Sequence, residues 1–166
     1  YRSLARRRGV RLATRELRIA SEPLGAEPAA SFGVAAGSPA TTISRVLLAD
    51  GEPAALMLDD VRPDIALPSE SRLRRELERG AMVLDVLLAQ EVPVAFARTT
   101  VRSRLVSGRE RAGRALGVKG SAAMLELEEV MHLASGEAVQ HSIDLFTPRG
   151  LDLHVIRHLA AASPAP

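Results

Sequence analysis

ISRVLLADGEPAALMLDD, residues 43–60, holds two apolar runs, 43–49 and 54–58, around the short turn Asp50-Gly51-Glu52-Pro53. An Asp-Gly pair between strand-like runs signals a hairpin, because glycine tolerates the positive φ that a tight two-residue turn demands. Pro53 opens the returning strand, where its missing N–H does least harm. Side chains alternate across a strand, so Arg45, Leu47 and Ala49 belong on one face and Val46 and Leu48 on the other. Arg45 is the single cation of this largely apolar hairpin. It reads either as an outward residue paired with a surface acid or as an anchor for a ligand.

Outward from the hairpin, 166 residues with 46% hydrophobic and 25% charged side chains are enough for one domain with a sizeable core. A net charge of +2 gives no electrostatic footprint for nucleic acid, and 2% aromatic residues leave almost no stacking platforms for a single strand. The absence of cysteine excludes disulfides and thiolate chemistry and fits a cytoplasmic location. No run approaches the ~18–20 apolar residues of a membrane helix, and no signal-peptide pattern opens the chain, so no membrane partner is expected. The chain begins at Tyr1, not Met, and is expected to come from something longer.

Residues 1–11, YRSLARRRGVR, read as a basic linker remnant. Alternation predicts a half-buried strand over 14–20, and residues 27–32 suit a short helix with Pro28 in its first turn and Gly33 at its end. After a proline-punctuated loop at 62–68, a charged helix spans 69–79 with Ser69 as N-cap. Gly80 breaks it, and a second helix is expected over 81–91. Residues 99–106 read as a strand, and Ser107-Gly-Arg-Glu110 fits a capping box that opens another short helix. Residues 152–159 extend the last strand region, and 160–166 form a disordered tail.

The chain also repeats itself. Phe32-Gly33-Val34 matches Leu116-Gly117-Val118, Gly37-Ser38 matches Gly120-Ser121, and Gly51-Glu52 matches Gly136-Glu137, all at separations of about 84 residues. Each half reads as strand, short helix, strand, turn, strand. Two such pseudo-repeated halves give six strands joined largely by hairpins, which pair antiparallel. The expected fold is α+β, a six-stranded antiparallel sheet with flanking helices. In the second hairpin Gln140, Ser142, Asp144 and Phe146 share one face, and Val139, His141, Ile143 and Leu145 the other.

Three stretches together resemble the UTRA domain, the effector-binding domain of HutC-type regulators in the GntR family. They are SFGVAAGSPATTISRVLLADGEPAA (31–55), LPSESRLRRELERGAMVLDVLLAQ (67–90) and SGRERAGRALGVKGSAAMLELEEVMHLASGEAVQHSIDLF (107–146). The likeness runs from about Gly9 to Leu159, with 12–159 as the effector-binding domain. It implies a chorismate-lyase-like fold, a homodimer, a small-molecule effector, no cofactor and no enzymatic activity. It also implies that DNA is bound only through a separate N-terminal winged helix-turn-helix domain, which this chain lacks.

The resemblance also implies a ligand site at Arg45, Leu47, Met57, Ala81, Val83, Gln140, Ser142 and Phe146. In the family the strand before the turn carries two arginines that bind anionic groups. Arg45 matches the first, and Leu47 stands in place of the second. An acid in the returning strand becomes Met57, and Ser-Leu-Tyr at the start of the long helix becomes Ala81-Met82-Val83. Glu-Tyr-Ser becomes Gln140-His141-Ser142, and a later tyrosine becomes Phe146. Nearly every exchange removes a charge or hydroxyl. A sugar phosphate, which needs several convergent donors when buried, is therefore disfavoured against a largely apolar molecule with one anionic or polar end.

Other chemistry finds little support. His154 and His158 could chelate a metal only in a helix, and DLHVIRHL alternates like a strand. Asp59-Asp60 and the acids at 126, 128 and 129 read as surface or strand-edge charge. GVKGS lacks the phosphate-loop pattern, and no nucleophile elbow is present. The competing functional readings are a chorismate-lyase-like enzyme, which would need several arginines in a closed cavity, and a ligandless dimerisation module.

Overall fold

A computed structural model describes residues 9–148. The elements run β1 (Leu12–Pro23), α1 (Ala26–Phe32), β2 (Pro39–Ala49), β3 (Glu52–Val61), α2 (Glu70–Glu78), α3 (Val83–Ala89), β4 (Val94–Ser107), α4 (Arg111–Ala115), β5 (Ser121–Leu133) and β6 (Ala138–Phe146). The strands form one six-stranded sheet in the order β1-β2-β3-β6-β5-β4. Every neighbouring pair is antiparallel. This is the α+β architecture expected from the sequence.

The β2–β3 turn forms as read. Ala49 pairs with Glu52, and the two residues between them, Asp50 and Gly51, have φ of 50° and 90°. Two positive φ values in a two-residue loop are the type I′ geometry that matches strand twist. One residue further on, Leu48 pairs with Pro53 and Leu47 with Ala55, so Ala54 bulges out. The first helix also matches: Gly33 takes the left-handed conformation at φ 67°, and the chain closes with Val34 N–H donating to Ala29 O at 3.0 Å.

Three expectations need correction. Strands β1 and β4 are longer than the alternating cores that announced them. The helix expected over 81–91 begins only at Val83, because Met82 is extended and its N–H is taken by Asp85 Oδ2 at 2.8 Å. At 107–110 a turn precedes the helix: Glu110 accepts from Ser107 N–H, but the Ser107 hydroxyl accepts from Arg109 N–H, and α4 starts after Glu110. The reciprocal box is half made. The expectations for residues 1–8 of the basic opening, for 152–159, for 160–166 and for His154 and His158 lie outside the described residues.

Helices cover the sheet on both faces. On one, α2 and α3 bury Leu73, Leu77, Val83, Val86 and Leu87 against Ile43, Val61 and Met131. On the other, α1 packs Phe32 and Ala29 near Val130, and α4 sits over Val46, Met124 and Leu145. Among the described residues, no helix is long and apolar enough to cross a membrane.

Candidate functional site

Strand register places the predicted residues. Arg45 pairs with Met57, Met57 with Asp144 and Asp144 with Leu127, giving one row across four strands. The next row is Ile43, Asp59, Ser142 and Glu129, and Val61 pairs with Gln140 beyond it. On the other side lie Leu47, Ala55 and Phe146. Thus Arg45, Leu47, Met57, Gln140, Ser142 and Phe146 share the face that α2 and α3 cover. Ala81 and Val83 flank Met82 at the entry to α3, and Met82 packs against the cluster of Leu47, Met57 and Phe146. All eight predicted residues are buried.

The centre of this patch is polar. Arg45, 1% exposed, donates from Nη1 to Ala81 O at 2.9 Å and reaches Met82 Sδ from Nη2 at 3.6 Å. Its Nη2 lies 4.0 Å from Asp59 Oδ2. Gln140 Nε2 donates to Asp59 Oδ1 at 2.6 Å. Of the five buried side-chain atoms left without a hydrogen-bond partner among the described residues, four belong to this patch: Arg45 Nε, Asp59 Oδ2, Gln140 Oε1 and Asp144 Oδ1. Unpaired polar atoms in a protein interior are costly, and their presence marks a place that water or a ligand completes.

Burial disfavours the charged forms here. It raises the Asp59 carboxyl, opposed by Arg45 and by the Gln140 hydrogen bond. Burial and the neighbouring Asp59 push Asp144 well above the usual carboxylate range, with Arg45 only partly offsetting them. One guanidinium therefore faces two carboxylates. The reading of Asp59 as surface or strand-edge charge is overturned: it is 3% exposed and forms part of this cluster. Asp144 was placed on the correct face by alternation but not counted with the site. An acid in the apolar run IDLF, sharing parity with Gln140 and Ser142, was the available signal.

Strand β1 bends around the same point. Arg15 pairs with Val46 and Arg18 with Ser44, so Glu16 and Leu17 together oppose Arg45. Glu16 holds φ at 56°, a left-handed conformation that a glutamate rarely adopts. Bulges of this kind gather beside functional sites. His141 falls on the opposite face, buried, with Nε2 3.2 Å from Glu128 Oε1. Glu126 and Glu128 pair with Arg102 and Arg104 across β4 and β5.

Of three cavities of similar size, one touches the predicted set at Arg45 and two lie away from it. One of about 260 Å³ borders Ser44, Arg45 and Val46 on β2, together with Glu16, Arg111 and Arg114. A neighbour of about 290 Å³ lies between α4 and Leu56, Leu58, Ile143 and Leu145. The third, about 280 Å³, borders Phe96 and His132, whose rings stack at 4.8 Å. No group of three or more His, Cys, Asp or Glu suited to a metal occurs among the described residues.

With a six-stranded antiparallel sheet and a polar cluster under the entry to α3 in place, comparison with known proteins becomes decisive. The model of the UTRA domain family matches residues 7–149. The chain belongs to the UTRA domain family. No curated protein sequence matches it significantly. Among solved structures, a Streptomyces coelicolor protein assigned as a transcriptional regulator is 25% identical, with a TM-score of 0.75 over 90% of this chain and 97% of that one. PhnF from Mycobacterium smegmatis is 20% identical, with a TM-score of 0.77 over 96% of this UTRA domain and 68% of PhnF. The ligand-binding domain of a Bordetella bronchiseptica protein assigned to the GntR-family transcriptional regulators is 19% identical, with a TM-score of 0.68 over 90% of each chain. At these identities the last two report the fold of the UTRA domain alone.

Proposed function

We propose that this UTRA domain is the ligand-sensing part of a bacterial transcriptional regulator of the HutC type in the GntR family. It acts as a cytoplasmic homodimer, has no enzymatic activity, and controls DNA binding by a separate N-terminal winged helix-turn-helix domain. The ligand site is the buried patch of Arg45, Leu47, Met57, Ala81, Val83, Gln140, Ser142 and Phe146, joined by Asp59, Asp144 and Met82. The observation that carries this reading is the set of unpartnered polar atoms on Arg45, Asp59, Gln140 and Asp144, enclosed by Met57, Leu127 and Phe146. A largely apolar molecule with one polar end fits such surroundings.

The Arg45 bonds to Ala81 and Met82 tie the α2–α3 connection to the sheet. A ligand that takes the place of the Met82 side chain loosens this tie and moves α3. It shifts the dimer only in so far as it prefers one arrangement over the other. Dimer geometry then sets the spacing of two DNA-binding domains on their half-sites.

The test is thermal denaturation of the chain against a metabolite panel, repeated with Met82→Trp, which puts a bulkier side chain over the cluster and keeps Arg45, Asp59, Gln140 and Asp144 themselves. A stabilising metabolite should lose its effect in this variant. A panel in which nothing stabilises the chain, or hits whose effect is unchanged by Met82→Trp, would contradict the proposed site. Incubation with chorismate should yield no 4-hydroxybenzoate.

A further inference from the structure

Within the ligand reading of this site, on which the inference rests, we propose that the polar end of the ligand is a cation: a primary or secondary ammonium group on an apolar body, held by Asp59, Asp144 and Gln140. The sign of the charge follows from which atoms are left over. Three acceptors, Asp59 Oδ2, Gln140 Oε1 and Asp144 Oδ1, lack partners, against a single donor, Arg45 Nε. Gln140 Nε2 donates to Asp59 Oδ1 at 2.6 Å, which leaves the amide oxygen as its free end.

The alternative, an anionic head, meets an arginine that is already engaged. Arg45 donates to Ala81 O, contacts Met82 Sδ and stands 4.0 Å from Asp59. A carboxylate arriving here would face Asp59 across one guanidinium, with the raised Asp144 carboxyl beside it and Glu129 on the adjoining row. An ammonium group carries two or three N–H donors and one positive charge. With Arg45 it makes two cations for two carboxylates, and it brings donors to a site whose free atoms are mostly acceptors. Burial and the neighbouring Asp59 raise the Asp144 carboxyl in the free protein, so an ammonium group that favours the carboxylate form is coupled to proton loss there.

Leu47, Met57, Leu127 and Phe146 close the surroundings with apolar carbon. That favours an organic ammonium ion over a hydrated inorganic cation, whose water shell these walls cannot replace.

The experiment uses the 166-residue chain and three probes that share a phenylalkyl body: 2-phenylethylamine, 3-phenylpropionate and 2-phenylethanol. Sodium and magnesium chloride serve as inorganic controls, and the metabolite panel is sorted by head-group charge. The expected result is a rise in Tm with the amine, or with ammonium-bearing members of the panel, and not with the carboxylate, the alcohol or the salts. Asp144→Asn should weaken that binding about tenfold or more, because the amide keeps an acceptor but loses the negative charge that the ammonium group pairs with. Calorimetry in two buffers of different ionisation enthalpy should show proton release on binding. Stabilisation confined to anionic or neutral compounds, or to the salts, overturns the cation inference. Amine binding undiminished in Asp144→Asn overturns it as well. If nothing in the panel stabilises the chain, the ligand-sensing reading falls with it.

Discussion

Arg45 shares its buried surroundings with Asp59 and Asp144, so its removal does more than delete an anchor. Arg45→Met takes from the buried Asp59 the cation that stands 4.0 Å from it, and stability should fall by about 3–5 kcal/mol in urea denaturation. The double variant Arg45→Met/Asp59→Leu should recover most of that loss, since replacing both members of a buried pair by apolar groups is close to neutral. Equal loss in the single and double variants would mean that the pair is not coupled. Asp144 gives a second prediction. Its carboxyl is raised, as is that of Asp59, so both contribute most below the ordinary carboxylate range and lose stability as pH climbs through their folded values. The groups facing Asp144 are Arg45 from β2, Asp59 from β3 and Glu129 from β5, while α3 presents apolar side chains. Asp144→Asn should therefore be more stable than the parent at neutral pH, with an advantage that grows as pH rises above the ordinary carboxylate range. Glu128, held low by Arg102 and His141, runs the other way in both proteins and cancels in the comparison. An advantage that shrinks with rising pH would contradict a raised Asp144. At this scale alternation groups Arg45 with Leu47 on one strand and Gln140 with Ser142 and Phe146 on another, and it is the β2–β3–β6 register that puts the two sets on one face. Alternation missed Asp59 as a partner because two adjacent acids at a strand end look like solvated charge. Whether Asp59 is covered depends on Arg45 and Gln140, the second of which is 81 positions away in the chain.

Among the elements, hairpins were the easiest to read, since Asp50-Gly51 sets the geometry of its turn locally. Helix starts were harder. The delay of α3 to Val83 depends on Arg45 pulling on Ala81 O and Asp85 capping Met82, and the first of these is a tertiary contact. Strand β6 shows the same limit: AVQHSIDLF mixes Gln, His, Ser and Asp with apolar residues, yet eight of its nine positions are buried. A central strand covered on both faces by helices does not show the polar–apolar alternation of a half-solvated one. The short helix α4 offers an element-scale test. Gly113 is buried in it, and a Cβ there would run into Ser107 O and lie 2.8 Å from Gly108 Cα. Gly113→Ala should destabilise by about 1–3 kcal/mol through overpacking, despite alanine's better helix propensity. Chemical denaturation showing a gain in stability would mean that α4 does not press on the end of β4 as described.

For the whole molecule, the sheet order β1-β2-β3-β6-β5-β4 brings the two hairpins together at the β3–β6 seam, and the polar cluster straddles that seam. The α+β class and the antiparallel sheet were legible because each hairpin is local. The meeting of the hairpins joins residues about 80 positions or more apart, such as Asp59 and Gln140, and no local pattern specifies it. The same seam explains how a ligand in the cluster would be felt across the domain, since it touches strands from both hairpins and the α2–α3 connection. Hydrogen–deuterium exchange with a stabilising metabolite tests this most directly. The account predicts slowed exchange at residues 80–86 and in β2, β3 and β6 around Arg45, Asp59 and Gln140, with the α4 clefts unchanged. Slowed exchange confined to α4 and the strand segments around Leu56 and Leu145 would place the ligand on the other face of the sheet and contradict it.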